Sequence, residues 1–143
     1  MLDAVAIVAA LSREPARADV EKLLRDQDDP PRIAAVNLAE VVDVLVRVKS
    51  FRRDQVDQAV SWLQAGGLRV VATSEPIARS AGDLRARHYH HRDCPISLCD
   101  CVALATAQSL DERLASADPA LASVASREGV SVVALPDSRG RRP

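Results

Sequence analysis

Four short runs in the sequence pair β-branched or small apolar residues with abrupt polar ends: "IAAV" at 33–36, "LRVVA" at 68–72, "RLASA" at 113–117 and "VSVVAL" at 130–135. Each is too short to be a helix, and stretches of helical periodicity separate each from the next. Parallel strands need a crossover between them, usually a helix, so this alternation limits the chain to the α/β class, with helices packed on a largely parallel sheet. The chain is 48% hydrophobic, yet Phe51, Trp62 and Tyr89 are its only aromatic residues, so Ala, Val and Leu must fill the core. A length of 143 residues suits one domain, since a unit takes about 150 residues. No repeat or linker divides the chain; residues 1–136 read as one unit and 137–143, "DSRGRRP", as a polar basic tail expected to fray.

The helical stretches are "AVAIVAAL" at 4–11, "PARADVEKLLRDQ" at 15–27, "NLAEVVDVLVRVK" at 37–49, "RDQVDQAVSWLQ" at 53–64, "SEPIARSAGDLRARHY" at 74–89, "PISLCDCVALATAQSL" at 95–110 and "PALASVASRE" at 119–128. Pro15 and Pro76 suit helix starts, "DDPPR" at 28–32 is a break, and Gly66, Gly67 and Gly129 are stops. Net charge is −1, so no global positive field attracts a polyanion. Cysteines at 94, 99 and 101 are odd in number and crowded, which does not resemble a disulfide framework. There is no signal-peptide pattern and no long apolar run, so a cytoplasmic location with no membrane contact is expected.

Carboxylates carry the chemical signal. In open parallel sheets ligands bind at the carboxyl ends of strands, where helices begin. Four acids fall at such places: Asp3 in "MLDAVAIV", Glu40 in "NLAEVV", Asp100 in "LCDCVAL" and Asp118 in "LASADPA". Taken singly, each can be a helix cap. Asn37-x-x-Glu40 and Ser97-x-x-Asp100 match the capping box, and Asp118-Pro119 matches an N-cap with Pro at the first helical position. Solvated caps usually have polar neighbours, whereas these four lie among apolar residues. Converging there, they would repel one another and resist ionisation. Divalent cations resolve the conflict, and an all-oxygen donor set favours Mg²⁺, with Mn²⁺ able to substitute.

The order and context of these acids resemble the PIN-domain family, in particular the VapC-type toxins of bacterial toxin–antitoxin modules. The matching elements are "LDA" before an apolar helix, "NLAEV", "SLCDCVALATA" and "ASAD" before a helix, spanning Leu2 to about Leu135. The resemblance implies a three-layer α/β/α sandwich around a mostly parallel sheet of four to five strands. It implies a metal-dependent endoribonuclease that hydrolyses RNA phosphodiester bonds as the toxin of a pair. It also implies a homodimer inhibited by a cognate antitoxin. Carried over, Asp3, Glu40, Asp100 and Asp118 are the catalytic and metal-binding acids, supported by Asn37, Ser97 and Ser116. Two positions depart from the pattern: only Met1 and Leu2 precede Asp3, and Val5 stands where the family often has Ser or Thr. The contrasting expectation is a catalytically silent PIN-like module that binds RNA or protein without cutting.

The segment "RARHYHHRDC" precedes the Asp100 helix, and Arg85, Arg87 and His88 are its candidate RNA contacts. A single tyrosine there argues against a base-stacking platform. His88, His90, His91 and the three cysteines could be read as a zinc set, but they lack the usual ligand spacings, and the cysteines read as bystanders that pack the helix. Asp43 is a possible accessory acid, with Arg47 placed to pair with it one turn on.

Overall fold

The computed structural model describes residues 1–26 and 29–143. Its elements run α1 (Ala4–Leu11), α2 (Arg17–Leu24), β1 (Arg32–Ala34), α3 (Ala35–Asp43), α4 (Arg53–Ala65), β2 (Arg69–Val71), α5 (Glu75–His88), α6 (Leu98–Ser109), β3 (Leu114–Ser116), α7 (Pro119–Arg127) and β4 (Val132–Ala134). The four expected strands and seven expected helices are therefore all present, trimmed at their ends. Expectations for Gln27 and Asp28 lie outside the described residues.

Every strand pairing is parallel. β1 pairs with β2 and β3 with β4. The start of the chain joins the two pairs: Leu2 bridges in parallel to Ile33 on one side and Ala115 on the other. Leu2 N donates to Arg32 O at 2.7 Å, Ala115 N to Met1 O at 2.8 Å, and Asp3 N to Ala115 O at 3.2 Å. A central strand reduced to this minimum gives the order β2–β1–Leu2–β3–β4.

Side chains alternate across a pleated sheet, and the core divides accordingly. Met1, Ala34 and Leu114 face a cluster built from α5, α6 and α7. Leu2, Ile33 and Ala115 face a second cluster with Ile7, Val20, Val41 and Val56 from α1 to α4. The sheet lies between, so the layers are those of the α/β/α sandwich. Helix α6 is the most deeply buried, with every residue from Cys101 to Ala107 out of solvent. Leu104 is fully buried there. Leu104→Ala should therefore cost about 2–5 kcal/mol in urea denaturation, the range for an unfilled core cavity; a loss below about 1 kcal/mol would place Leu104 outside the core.

Two stretches differ from the expectation. The helix expected to run unbroken to Lys49 ends at Asp43 and widens into a π-helical turn, Val44–Val48, closed by Lys49 N donating to Val44 O at 3.0 Å. The wider turn keeps Leu45 buried while Val46 and Val48 stay exposed. The C-terminal tail is folded back, not frayed. Asp137 Oδ1 accepts from Arg139 N at 2.8 Å and Arg141 N at 2.9 Å, and Arg142 reaches Asp19 on α2 at 2.9 Å. Among the described residues no helix is long and apolar enough to cross a membrane.

Candidate functional site

Asp3 and Asp118 stand at the carboxyl edge of the sheet because each caps a helix that leaves the Leu2 bridge or a strand. Asp100 opens α6, while Glu40 lies beyond the first turn of α3 and is linked to the others through Asp100. Asp3 directly follows the Leu2 bridge and caps α1, its Oδ1 accepting from Ala6 N at 2.8 Å. Its Oδ2 accepts from the Ser116 hydroxyl at the end of β3. Ser116 Oγ in turn accepts from Asp118 N at 2.9 Å. Asp118 caps α7, with Oδ1 accepting from Leu121 N at 2.8 Å. A single fully buried hydroxyl thus ties the first acid to the fourth, and Asp3 draws its hydroxyl donor from across the sheet while Val5 points outward.

Asp100 behaves as its local spacing requires. Ser97 N donates to Asp100 Oδ2 at 2.8 Å, and Asp100 N donates to Ser97 Oγ at 3.0 Å, closing a reciprocal capping box. The matching expectation for Asn37 and Glu40 does not hold. Helix α3 begins at Ala35 directly out of β1, so Asn37 lies inside its first turn and cannot be its cap. The freed side chain crosses to α6 instead, Nδ2 donating to Cys99 O at 3.2 Å.

Electrostatics connect the acids into one group. Burial pushes the Asp3 carboxyl up to about 7; the bonds from Ser116 and Ala6 oppose that rise, and the charges of Asp100 and Asp118 add to it. Glu40 is also raised, first by burial and then by Asp100, against a lowering hydrogen bond from the Cys99 thiol. Among the described residues none of the four is in an ion pair with a basic side chain. Two buried oxygens here lack any hydrogen-bond partner, Glu40 Oε2 and Asn37 Oδ1.

That is the condition a bound cation relieves: hard oxygen donors, Asp3 buried and the others half-buried, with no basic side chain paired to them among the described residues. An all-oxygen donor set is the kind a hard divalent cation takes. The cluster is nevertheless not drawn into a ready-made cage, since no group of three or more His, Cys, Asp or Glu side chains among the described residues could hold a metal ion as arranged. Both Asp3 oxygens, one of Asp100 and one of Asp118 are bonded to protein donors.

Cys99 is more than a packing bystander. Its carbonyl accepts from Asn37, linking α6 to α3 beside the acids, and its thiol lies in electrostatic reach of Glu40. Burial and the neighbouring Glu40 and Asp100 charges hold the thiol protonated. No local pattern announces this contact, because Glu40 and Cys99 are distant in sequence. Cys94 and Cys101 are buried and free. Asp43 pairs with Arg47 at 2.7 Å as spacing predicts, and both remain exposed.

The basic segment is only partly available. Arg87 and His88 hold Glu128 at the end of α7, at 2.6 Å and 2.5 Å. Among the described residues, neither makes a hydrogen bond or ion pair with the four acids. Arg85 instead lies over the Tyr89 ring, its Cζ 4.2 Å from the centroid.

Comparison with known proteins matches this architecture. No curated protein matches the chain. Among solved structures, Mycobacterium tuberculosis VapC20, a sarcin–ricin loop cleaving toxin, is 14% identical with a TM-score of 0.66, over 99% of this chain and 98% of that one. Rickettsia felis VapBC2, bound to a DNA fragment from its promoter, is 16% identical with a TM-score of 0.66, over 93% and 96%. FitAcB from Neisseria gonorrhoeae is 24% identical with a TM-score of 0.62, over 92% and 94%. The family model described as the PIN domain matches residues 1–127. The chain belongs to the PIN-domain family.

Proposed function

We propose that the protein is a divalent-cation-dependent endoribonuclease, the toxin of a toxin–antitoxin pair, acting as a homodimer restrained by its antitoxin. The observation that carries the reading is the uncompensated acid group: Asp3 buried with its carboxyl pushed up to about 7, and Glu40 holding a buried oxygen with no partner. PIN-domain membership supports nuclease chemistry, and relatives in fold that are toxins or toxin–antitoxin complexes support an antitoxin partner.

In this reading Asp3, Glu40 and Asp100 are the principal ligands for Mg²⁺, and Asp118 acts partly through water. What a divalent cation supplies is Lewis acidity: activation of water for attack and neutralisation of charge on the phosphodiester. The chain's own residues orient the acids. The Ser116 hydroxyl fixes Asp3, the Ser97 box fixes Asp100, and Asn37 holds α3 against α6 so that Glu40 faces the group. Residues 1–136 form the working unit in this reading, and 137–143 its tail.

One observation favours a second reading, a catalytically silent RNA- or protein-binding module: both Asp3 oxygens are satisfied within the protein. A cleavage assay separates the two. Purified protein with single-stranded RNA should cut in Mg²⁺ or Mn²⁺, stop in EDTA, and resume on adding the cation back. Cleavage indifferent to EDTA would sink the metal-dependent reading, and no cleavage under any cation would favour the silent module.

A further inference from the structure

The end of α5, the turn after it and the start of α6 leave an open shelf. Along one exposed face of α5 stand Gly82, Arg85, Ala86 and Tyr89, and Leu98 joins them from the first residue of α6. Tyr89 is 45% exposed and Leu98 54% exposed. Arg85 rests on the Tyr89 ring, yet its Nε is buried with no hydrogen-bond partner, and the guanidinium enters no ion pair among the described residues. A Cβ at Gly82 would touch nothing, so the face is open at that end. Backbone hydrogen bonds hold the shelf in place. Tyr89 N donates to Arg85 O at 2.9 Å, and the following turn is pinned by a two-way backbone bridge between His90 and Cys94 at 2.9 and 3.0 Å.

We propose that Arg85, Tyr89 and Leu98 form a stacking shelf for an unpaired nucleobase of single-stranded RNA, with Leu98 two residues ahead of Asp100 on α6. The inference rests on the nuclease reading and names the form of its substrate. An exposed ring carrying a guanidinium is an amphipathic plane: it offers a flat apolar surface together with donors for a phosphate or a base edge. Its charge suits a polyanion, since Arg92 in the same segment is also in no ion pair among the described residues. A base in a duplex has no free face to give such a plane, so the shelf selects single strands. One tyrosine suffices because Arg85 and Leu98 extend it.

The test uses the full chain and a labelled, unstructured oligouridylate, with fluorescence anisotropy in EDTA so that no cleavage intervenes. Tyr89→Ala should weaken binding about 5- to 100-fold, the range for losing one stacked base. Tyr89→Phe should restore affinity, because the ring and not the hydroxyl carries the contact. In Mg²⁺ the alanine variant should raise KM while leaving kcat near that of wild type. Unchanged affinity in Tyr89→Ala overturns the shelf, as does an equal loss toward blunt double-stranded RNA. A changed oligomeric state on size exclusion also overturns it and makes the face an interface between copies. Loss of binding in Tyr89→Ala from a protein that never cuts RNA upholds the shelf and overturns the nuclease reading. Normal cutting with unchanged KM overturns the shelf alone.

Discussion

Asp100→Asn is expected to lower RNA cleavage by about 100- to 1,000-fold while leaving the fold intact, the usual cost of removing one group that stabilises charge in a transition state. The substitution separates the two roles the residue combines. As a cap, Asp100 accepts from Ser97 N at 2.8 Å, and an asparagine amide oxygen accepts the same bond. As a charge, Asp100 acts on both Asp3 and Glu40, and that role an amide cannot fill. Circular dichroism and thermal melting should therefore be near wild type, with the defect confined to single-turnover cleavage. Activity within about threefold of wild type would mean that Asp100 is only a cap.

Asp3→Asn should have the opposite character, stabilising the metal-free protein at alkaline pH. The Asp3 carboxyl rises from 3.8 to about 7 on folding. Below pH 3.8 the group is protonated in both states and contributes no difference. Between 3.8 and 7 the unfolded chain ionises while the native state keeps its proton, so wild-type stability falls as pH rises. Above about 7 the destabilisation is complete, on the order of several kcal/mol as an upper limit, since each tenfold change in proton affinity is worth about 1.4 kcal/mol. An asparagine removes it, so the variant's advantage in urea denaturation should be large at about pH 8, small at about pH 5 and absent below about pH 4. Saturating Mn²⁺ should reverse the ranking, because a ligand that binds only the native state stabilises it and the variant has lost a donor. A variant equal to wild type under the alkaline condition would contradict the buried, uncompensated carboxyl.

What could be read from the sequence was local. The Ser97–Asp100 box and the Asp118–Pro119 cap are set by residues within one turn of each other, and both form as spacing demands. Strands β1, β2 and β4 are legible because β-branched residues mark them, even at three residues apiece, while β3, Leu-Ala-Ser, shows only as a small apolar run between polar ends. What was hidden depends on contacts far apart in sequence. Ser116 reaches Asp3 across 113 positions and Asn37 reaches Cys99 across 62, and no periodicity encodes either. Asn37 and Glu40 show how a local rule fails: the spacing was right, but β1 runs straight into α3 and leaves no cap position for Asn37. The pairing of Arg87 and His88, candidate RNA contacts by their segment, with Glu128 is not legible locally, because Glu128 lies 40 or more residues away. The four acids stand out by their places at strand ends and helix starts in apolar settings, whereas the three-layer arrangement and the roles of the acids rest on the resemblance to a family, carried by short motifs whose order the fold preserves.

Isothermal titration of Mn²⁺ into the protein at about pH 7, in two buffers of different ionisation enthalpy, reads the acid group directly. Burial pushes the metal-free Asp3 carboxyl up to about 7, so it keeps part of its proton at that pH, and metal ligands must shed their protons to bind. The result predicted is saturable binding accompanied by proton release, abolished in a Glu40→Gln, Asp100→Asn double variant. Saturable binding of the same affinity in that double variant, or no heat beyond dilution in the wild type, would contradict the account.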